Sequence, residues 1–278
     1  MTRFVTLTVF VSLFCVATAQ GALHTLTDLN STTVIDDGSS AGMSSWTVDG
    51  TDHVSQQWFW YRIGDTGPES SLETLDATPL ASLTNADFDP GNETLNLRYE
   101  DSDLRIDVSF ALHGGASGSG ASDIAEVVTI TNLTDNPVPG VHFFQYVDFD
   151  LSGAPGGDTA WIATGGGATS AWQTGGGGWV NETPVTSPSR YEVAFFSATR
   201  DKLTDVVNAD ILNNVAGPVG PGNVTWAFQW DFDLEASGDP NSSWQLSKDK
   251  RIVIPEPATL VVLIIGGLLS LLARRRRA

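Results

Sequence analysis

Two similar acidic segments hold the residues best suited to binding a metal ion. Segment 144–151 reads FQYVDFDL, and segment 228–234 reads FQWDFDL. Side chains alternate between the faces of a strand, so Asp148 and Asp150 share one face, as do Asp231 and Asp233. If the two strands are neighbours, four carboxylates line one patch, and calcium prefers such oxygen ligands. The simpler alternative is two strands with solvated acidic faces. No other cofactor is indicated.

The most aromatic segment of the chain could bind sugars. It covers residues 56–62 and reads QQWFWYR. If exposed, Trp58 and Trp60 would form a platform for sugar rings, whose C–H faces pack on aromatic π faces. If buried, the same residues would belong to a central strand of the core. Both interpretations stay open, and the buried one needs no ligand.

No set of residues predicts catalysis. Segment 38–42, GSSAG, matches the G-x-S-x-G pattern, but that pattern needs a strand before it and a helix after it. The residues that follow read as a strand, which indicates a hairpin loop. Segment 114–120 is rich in glycine but lacks the Lys-Ser/Thr of a phosphate-binding loop. We therefore predict no catalytic residue and a protein that is not an enzyme.

The elements that position these residues are mostly strands. Residues 104–112 alternate apolar and polar side chains, and segments 94–99, 126–131, 190–197 and 223–232 are rich in β-branched and aromatic residues. Turn-forming clusters of Asp, Asn, Pro and Gly separate them. Only residues 203–213 read as a helix, with Thr204 as its N-cap. The pattern predicts an all-β protein, a jelly-roll-like β-sandwich over residues 20–254, although two smaller sandwiches divided near residues 165–178 stay an alternative.

Composition excludes one large class of function. The chain has 14 Lys and Arg against 33 Asp and Glu, a formal charge of −19, so a free-standing nucleic-acid binder is not expected. The nine tryptophans argue against disorder. The single cysteine, Cys15, excludes an internal disulfide.

The first 19 residues have the features of a secretory signal peptide. Arg3 precedes an apolar run over residues 4–16, and a small-x-small site ends at Ala19. We expect export through the Sec translocon and cleavage by signal peptidase between Ala19 and Gln20. Cys15 then leaves with the signal.

The last 24 residues contain three successive features. Pro255, Glu256 and Pro257 precede an apolar segment, 258–273, which is followed by Arg274, Arg275, Arg276 and Arg277. The apolar segment is somewhat shorter than the roughly 20 residues of an average transmembrane helix. The arginines would stay on the cytoplasmic side of the inner membrane. We predict a single C-terminal transmembrane helix.

These three features resemble the PEP-CTERM sorting signal of Gram-negative bacteria. The resemblance implies recognition of Pro255, Glu256 and Pro257 by an exosortase, retention by the arginine cluster, and a host that makes extracellular polysaccharide. Segments 58–62 (WFWYR), 118–123 (GSGASD) and 143–151 (FFQYVDFDL) are also similar to a subset of PEP-CTERM proteins, to which no activity is attached.

We therefore expect an exported, non-enzymatic protein of the cell surface or extracellular matrix. It is anchored in the inner membrane as a precursor and associated with exopolysaccharide. A carbohydrate-binding module of that matrix is the alternative, and a secreted hydrolase is less favoured because no catalytic motif is present.

Overall fold

Buried and partly exposed side chains alternate along the strands of this protein. The computed structural model describes residues 21–86, 89–153, 155–165 and 168–255. In the strand that spans Leu104–Gly114, Leu104, Ile106, Val108, Phe110 and Leu112 are buried, and the residues from Arg105 to Ala111 that alternate with them are partly exposed. The predicted alternation is thus confirmed. Predicted strands 94–99 and 126–131 lie within strands of the structure, and predicted strands 190–197 and 223–232 overlap strands that span Arg190–Phe195 and Val224–Leu234.

The strands are β1 (Leu23–Asp28), β2 (Ser31–Asp36), β3 (Met43–Val48), β4 (Thr51–Asp52), β5 (Val54–Ile63), β6 (Ser70–Ser71), β7 (Leu80–Thr84), β8 (Thr94–Glu100), β9 (Leu104–Gly114), β10 (Ala121–Asn132), β11 (Val138–Phe149), β12 (Asp158–Gly165), β13 (Ala168–Gly175), β14 (Gly178–Pro184), β15 (Arg190–Phe195), β16 (Val219–Gly222), β17 (Val224–Leu234) and β18 (Ser243–Val253). One α-helix, α1 (Ala198–Thr204), and two short 3₁₀ turns (Leu72–Thr74 and Leu151–Gly153) accompany them.

The strands form two antiparallel sheets of nine strands each. Sheet 1 has the order β1-β2-β3-β5-β11-β17-β15, and the two-residue strands β4 and β6 pair with β3 and β5, respectively. Sheet 2 has the order β16-β12-β13-β14-β18-β10-β9-β8-β7. Each sheet combines strands from the first and second halves of the chain. The described residues therefore form one sandwich, and β12, β13 and β14 pair as successive antiparallel neighbours within sheet 2.

The two sheets enclose an aromatic core. Phe59 of β5 stacks on Phe143 of β11, with ring centroids 5.5 Å apart, and packs against Phe110 of sheet 2 at 6.4 Å. Phe149 stacks on Trp226 at 5.4 Å. The contact between Phe59 and Phe110 joins the two sheets, and the other two contacts lie within sheet 1. Because aromatic side chains remove large apolar areas from water, this packing stabilises the core between the sheets. The prediction of an all-β sandwich is confirmed at this level.

The predicted helix over residues 203–213 is wrong. The helix α1 ends at Thr204, where the prediction had it begin. The carboxylate of Asp205 then accepts hydrogen bonds from the backbone N–H groups of Val207 and Asn208, each at 2.8 Å, which forms a turn. Farther along, the N–H of Leu212 donates to the side chain of Gln229. Side-chain acceptors replace the carbonyl acceptors of a helix, so the segment after Thr204 is irregular.

The predicted end segments lie almost entirely outside the described residues. These are the signal peptide with Ala19 and Gln20, and the tail from Glu256 to Arg277; Pro255 is described and exposed. Within the described part of the chain, no helix has the length and apolar character to span a bilayer.

Candidate functional site

The strand register of sheet 2 places six outward side chains in one line across six strands. Each residue pairs directly with the next on the neighbouring strand, from β12 through β13, β14, β18 and β10 to β9. Neighbouring strands lie about 4.8 Å apart, so the line is roughly 24 Å long. We call it the outer row, and it consists of Trp161, Trp172, Asn181, Arg251, Asp123 and His113.

Alternation along each strand directs these side chains away from the core. On β12, Ala160 and Ile162 are buried while Trp161 between them is partly exposed. On β14, Val180 and Glu182 are buried while Asn181 is partly exposed. The neighbours fill the core, so the outer row is left at the surface.

Three tryptophans form one end of this surface. The rings of Trp161 and Trp172 are nearly parallel, 8° apart, with centroids separated by 6.2 Å. Trp179, diagonal to Trp172 on β14, adds a third ring at 5.6 Å. Trp172 donates its Nε1–H to Ser170 Oγ at 3.1 Å, which fixes its orientation. All three indoles are partly exposed, and we call them the tryptophan cluster.

Polar groups form the other end of the outer row. The side-chain amide of Asn181 donates a hydrogen bond to the carbonyl of Ala171 at 3.0 Å, and its oxygen accepts a hydrogen bond from the hydroxyl of Thr183. Beyond it, His113, Asp123 and Arg251 line a shallow depression of about 310 Å³. Burial and a hydrogen bond with Asp249 raise the pKa of Asp123 to about 6, and the charges of His113 and Arg251 oppose the rise. The depression thus offers donors and acceptors side by side.

The arrangement suits binding better than catalysis. Partly exposed indoles provide an apolar, electron-rich surface, and a few adjacent polar groups can orient a ligand. The outer row contains no hydroxyl or thiol nucleophile paired with a base, which a covalent mechanism would need. The surface is long and open, which fits an extended ligand.

The structure corrects the interpretation of Trp58 and Trp60 as a sugar platform. Both side chains are buried, with exposed fractions of 0% and 1%. Trp58 donates its Nε1–H to Glu73 on the first 3₁₀ turn at 2.8 Å, and Trp60 packs edge-on against Tyr146 at 6.3 Å. These residues belong to the core, as the alternative interpretation had it.

The structure also corrects the expected patch of four carboxylates. Strands β11 and β17 are neighbours, but they run antiparallel, and Asp148 pairs with Thr225 while Asp231 pairs with His142. Six residue pairs separate the two sites, about 20 Å along the strands. Asp148 and Asp150 therefore lie at the opposite end of the pair from Asp231 and Asp233. Among the described residues, no three His, Cys, Asp or Glu side chains converge as a metal site would require.

The other predicted features lie where the sequence placed them. Segment 38–42 is the turn between β2 and β3, and β3 begins right after it, so no nucleophile elbow is formed. Segment 114–120 is the connection between β9 and β10. Of the predicted sorting residues only Pro255 is described, at the end of the sandwich domain.

Sequence reasoning missed the tryptophan cluster. Each of its members is a single tryptophan in a short segment of small and polar residues, in contrast to the aromatic run around Trp58. A lone large aromatic residue among such neighbours was the available signal. What brings the three together is the register of β12, β13 and β14.

Comparisons with known proteins support the fold alone. No family model matches the chain, and no curated protein matches its sequence. Among solved structures, a bacterial glucoamylase complexed with acarbose is similar at 9% identity and a TM-score of 0.55, over 84% of this chain. A copper-containing benzylamine oxidase from Hansenula polymorpha is similar at 8% identity and a TM-score of 0.43, over 92% of this chain and 64% of that chain. The chain spans about a third (32%) of the length of the glucoamylase.

Proposed function

We propose that this chain is an exported, non-enzymatic surface protein that binds extracellular polysaccharide through the outer row and Trp179. One observation carries the proposal: three partly exposed indoles lie together on one sheet face, directly continued by a line of polar side chains. A sugar ring has an apolar C–H face and a rim of hydroxyls. The tryptophans would stack on the apolar face, and Asn181, Arg251 and Asp123 would form hydrogen bonds with the hydroxyls.

The shape and charge of the surface narrow the ligand. A line of roughly 24 Å accommodates several successive sugar rings of an extended chain. The strongly acidic protein, with a formal charge of −19, repels polyanions such as uronic-acid polymers. The proposed ligand is therefore a neutral polysaccharide.

The route to the surface is proposed from the sequence. The signal peptide (residues 1–19) would direct export, and the tail (residues 255–278) would span the inner membrane through residues 258–273 until an exosortase acts on it. Such sorting would deliver the sandwich to the cell surface or matrix, where a polysaccharide ligand is present. This part of the proposal rests on the resemblance to PEP-CTERM proteins.

Affinity electrophoresis of the purified chain tests the binding surface. Gels containing a neutral glucan, mannan or xylan should retard the wild-type protein, and gels containing an acidic polysaccharide should not. Because Trp161 and Trp172 supply the stacking surface, the double variant Trp161→Ala/Trp172→Ala should bind at least about tenfold more weakly, a loss of about 1.4 kcal/mol.

A matched control separates binding from folding. Trp244 is also partly exposed, but it lies outside the outer row and stacks on Phe232, with centroids 4.1 Å apart. Trp244→Ala should lower the melting temperature and leave retardation unchanged. Equal retardation of the wild type and the double variant would refute the assigned surface. Absence of retardation in every neutral gel would refute the function.

A further inference from the structure

Four ionisable side chains lie together in the centre of the sandwich. Glu126 of β10 and Glu182 of β14 flank Lys248 and Lys250 of β18, and all four side chains are 0% exposed. The register pairs Lys248 with Glu126 and Lys250 with Glu182. Lys248 contacts Glu126 and lies 3.0 Å from Glu182, and Lys250 contacts Glu126. We call this set the core tetrad.

Burial makes the charges of the core tetrad costly. Removing an ion from water costs several kcal/mol even when a partner compensates part of it. Burial lowers the pKa of Lys248 to about 8, although Glu182 opposes this. Burial also lowers the pKa of Lys250 well below its usual value. The neutral amine, which is the nucleophilic form of lysine, is therefore more accessible here than at a surface.

Side chains of sheet 1 hold both oxygens of Glu182. Gln145 donates its Nε2–H to Oε1 at 2.7 Å, and Trp226 donates its Nε1–H to Oε2 at 2.8 Å. Donors in these positions would stabilise the negative charge that develops on a carboxyl group under nucleophilic attack. Lys248 Nζ lies 3.0 Å from Oε1 and, with a C–O bond of about 1.2 Å, no more than about 4.2 Å from the carboxyl carbon of Glu182.

Nucleophile, base and electrophile therefore occupy one water-excluded site. We propose that Lys248 and Glu182 condense to an amide that joins β18 covalently to β14. Glu126, in contact with Lys248 Nζ, is the base, and Gln145 and Trp226 form the oxyanion site.

The reaction balances without a co-reactant. Glu126 relays a proton from the Lys248 ammonium to the Glu182 carboxylate, which gives a neutral amine and a carboxylic acid. The Lys248 Nζ–Glu182 Cδ bond forms, a second proton passes from nitrogen through Glu126 to the departing oxygen, and the C–O bond breaks. The products are one amide and one water molecule. Lys250 and Glu126 remain as an ion pair without net charge. The buried charges of Lys248 and Glu182 disappear.

Such a bond would strengthen the sandwich where its C-terminal tail begins. β18 is the last strand before Pro255, so any pull on the tail acts first on this strand. Cys15 is the only cysteine of the chain, so no internal disulfide can serve this purpose.

Peptide mapping of the full-length wild-type protein tests the proposal. After denaturation and digestion with trypsin and chymotrypsin, the peptides containing Lys248 and Glu182 should appear as one linked species, lighter than their sum by one water molecule, with no cleavage after Lys248. Chymotrypsin separates Glu182 from Glu126, which share the tryptic peptide of residues 106–190. Lys202 and Glu192 are a matched internal control, since they are 2.7 Å apart but the lysine is partly exposed. Their peptides should be unlinked.

A conservative variant tests the role of Glu126. Glu126→Gln keeps the size of the side chain and removes the base, so the linked species should be lost while circular dichroism shows the same β-structure. Recovery of only unlinked Lys248 and Glu182 peptides from the wild type would overturn the proposal. Equal linkage in Glu126→Gln would overturn the assignment of the base.

Discussion

Asp148 should make the protein less stable as pH rises, and replacing it should remove that loss. Its side chain is 2% exposed, and its Oδ1 has no hydrogen-bond partner among the described residues. Burial, followed by the charge of Asp150, raises the pKa of Asp148 to about 7, although Arg200 and Tyr146 oppose the rise. The folded state then binds this proton more tightly than the unfolded state. The contribution of this protonation to the free energy of unfolding is fully present below about pH 4 and is lost as pH rises towards 7.

The magnitude follows from the size of the shift. A rise from 3.8 to about 7 is roughly three pKa units, and each unit corresponds to about 1.4 kcal/mol, so the loss is about 4 kcal/mol. Asp148→Asn stays neutral at every pH. It should therefore match the wild type near pH 4 and exceed it by about 4 kcal/mol above pH 8, on the order of 10 °C in melting temperature.

Urea and thermal melts of both proteins at several pH values measure this difference. Asp135→Asn, a change at an exposed carboxylate, is the control and should follow the wild type throughout. A difference between Asp148→Asn and the wild type that is the same at pH 4 and pH 8.5 would refute the reasoning. So would an Asp148→Asn variant that loses stability with pH as steeply as the wild type.

Two further predictions concern stability. Arg62 and Glu69 form an ion pair at 2.9 Å, and their side chains are 4% and 0% exposed. Arg62→Met should therefore lower the free energy of unfolding, measured in urea, by about 3–5 kcal/mol. The double variant Arg62→Met/Glu69→Gln should lower it less, because no buried charge is left unpaired. Gly120 has a φ of +63° and a Cβ added there would lie 1.7 Å from the carbonyl oxygen of Ile254, whereas Gly177 has a φ of +85° and open space around it. Gly177→Ala should thus lower the free energy of unfolding by the backbone strain alone, about 1–2 kcal/mol. Gly120→Ala should lower it more, because its Cβ also meets the carbonyl of Ile254. Equal melting temperatures of the two variants would contradict this prediction.

Much of the fold was predictable because strands leave a local signal. The alternation in β9 is visible in the sequence since each apolar side chain faces the same core. The helix prediction failed for a local and a non-local reason: Asp205 forms a turn with Val207 and Asn208, and the acceptor for Leu212 comes from another strand. Whether residues 203–213 form a helix depends on acceptors such as the side chain of Gln229, which the strand β17 brings close and which no local pattern reveals.

The candidate site was less predictable because it is a product of register. The similarity of segments 144–151 and 228–234 does not reveal how their strands pair. The two strands, β11 and β17, are neighbours, but they pair in the antiparallel direction. That pairing separates Asp148 from Asp231. In the same way, the lone tryptophans Trp161 and Trp172 become one surface only through the alignment of β12 with β13. The jelly-roll-like connectivity and the roles of the two end segments stay predictions.

The outer row and the core tetrad are two faces of the same strands. On β18, Lys248 and Lys250 face the core, and Asp249 and Arg251 face the opposite side. On β14, Glu182 faces the core next to the outward Asn181. A slip of one residue between these strands would exchange the two faces and destroy both sets of contacts at once. An amide between Lys248 and Glu182 would fix this register covalently, and with it the alignment of Asn181 with Arg251 on which the outer row depends. The proposed cross-link would therefore act beneath the proposed binding surface as its rigid support.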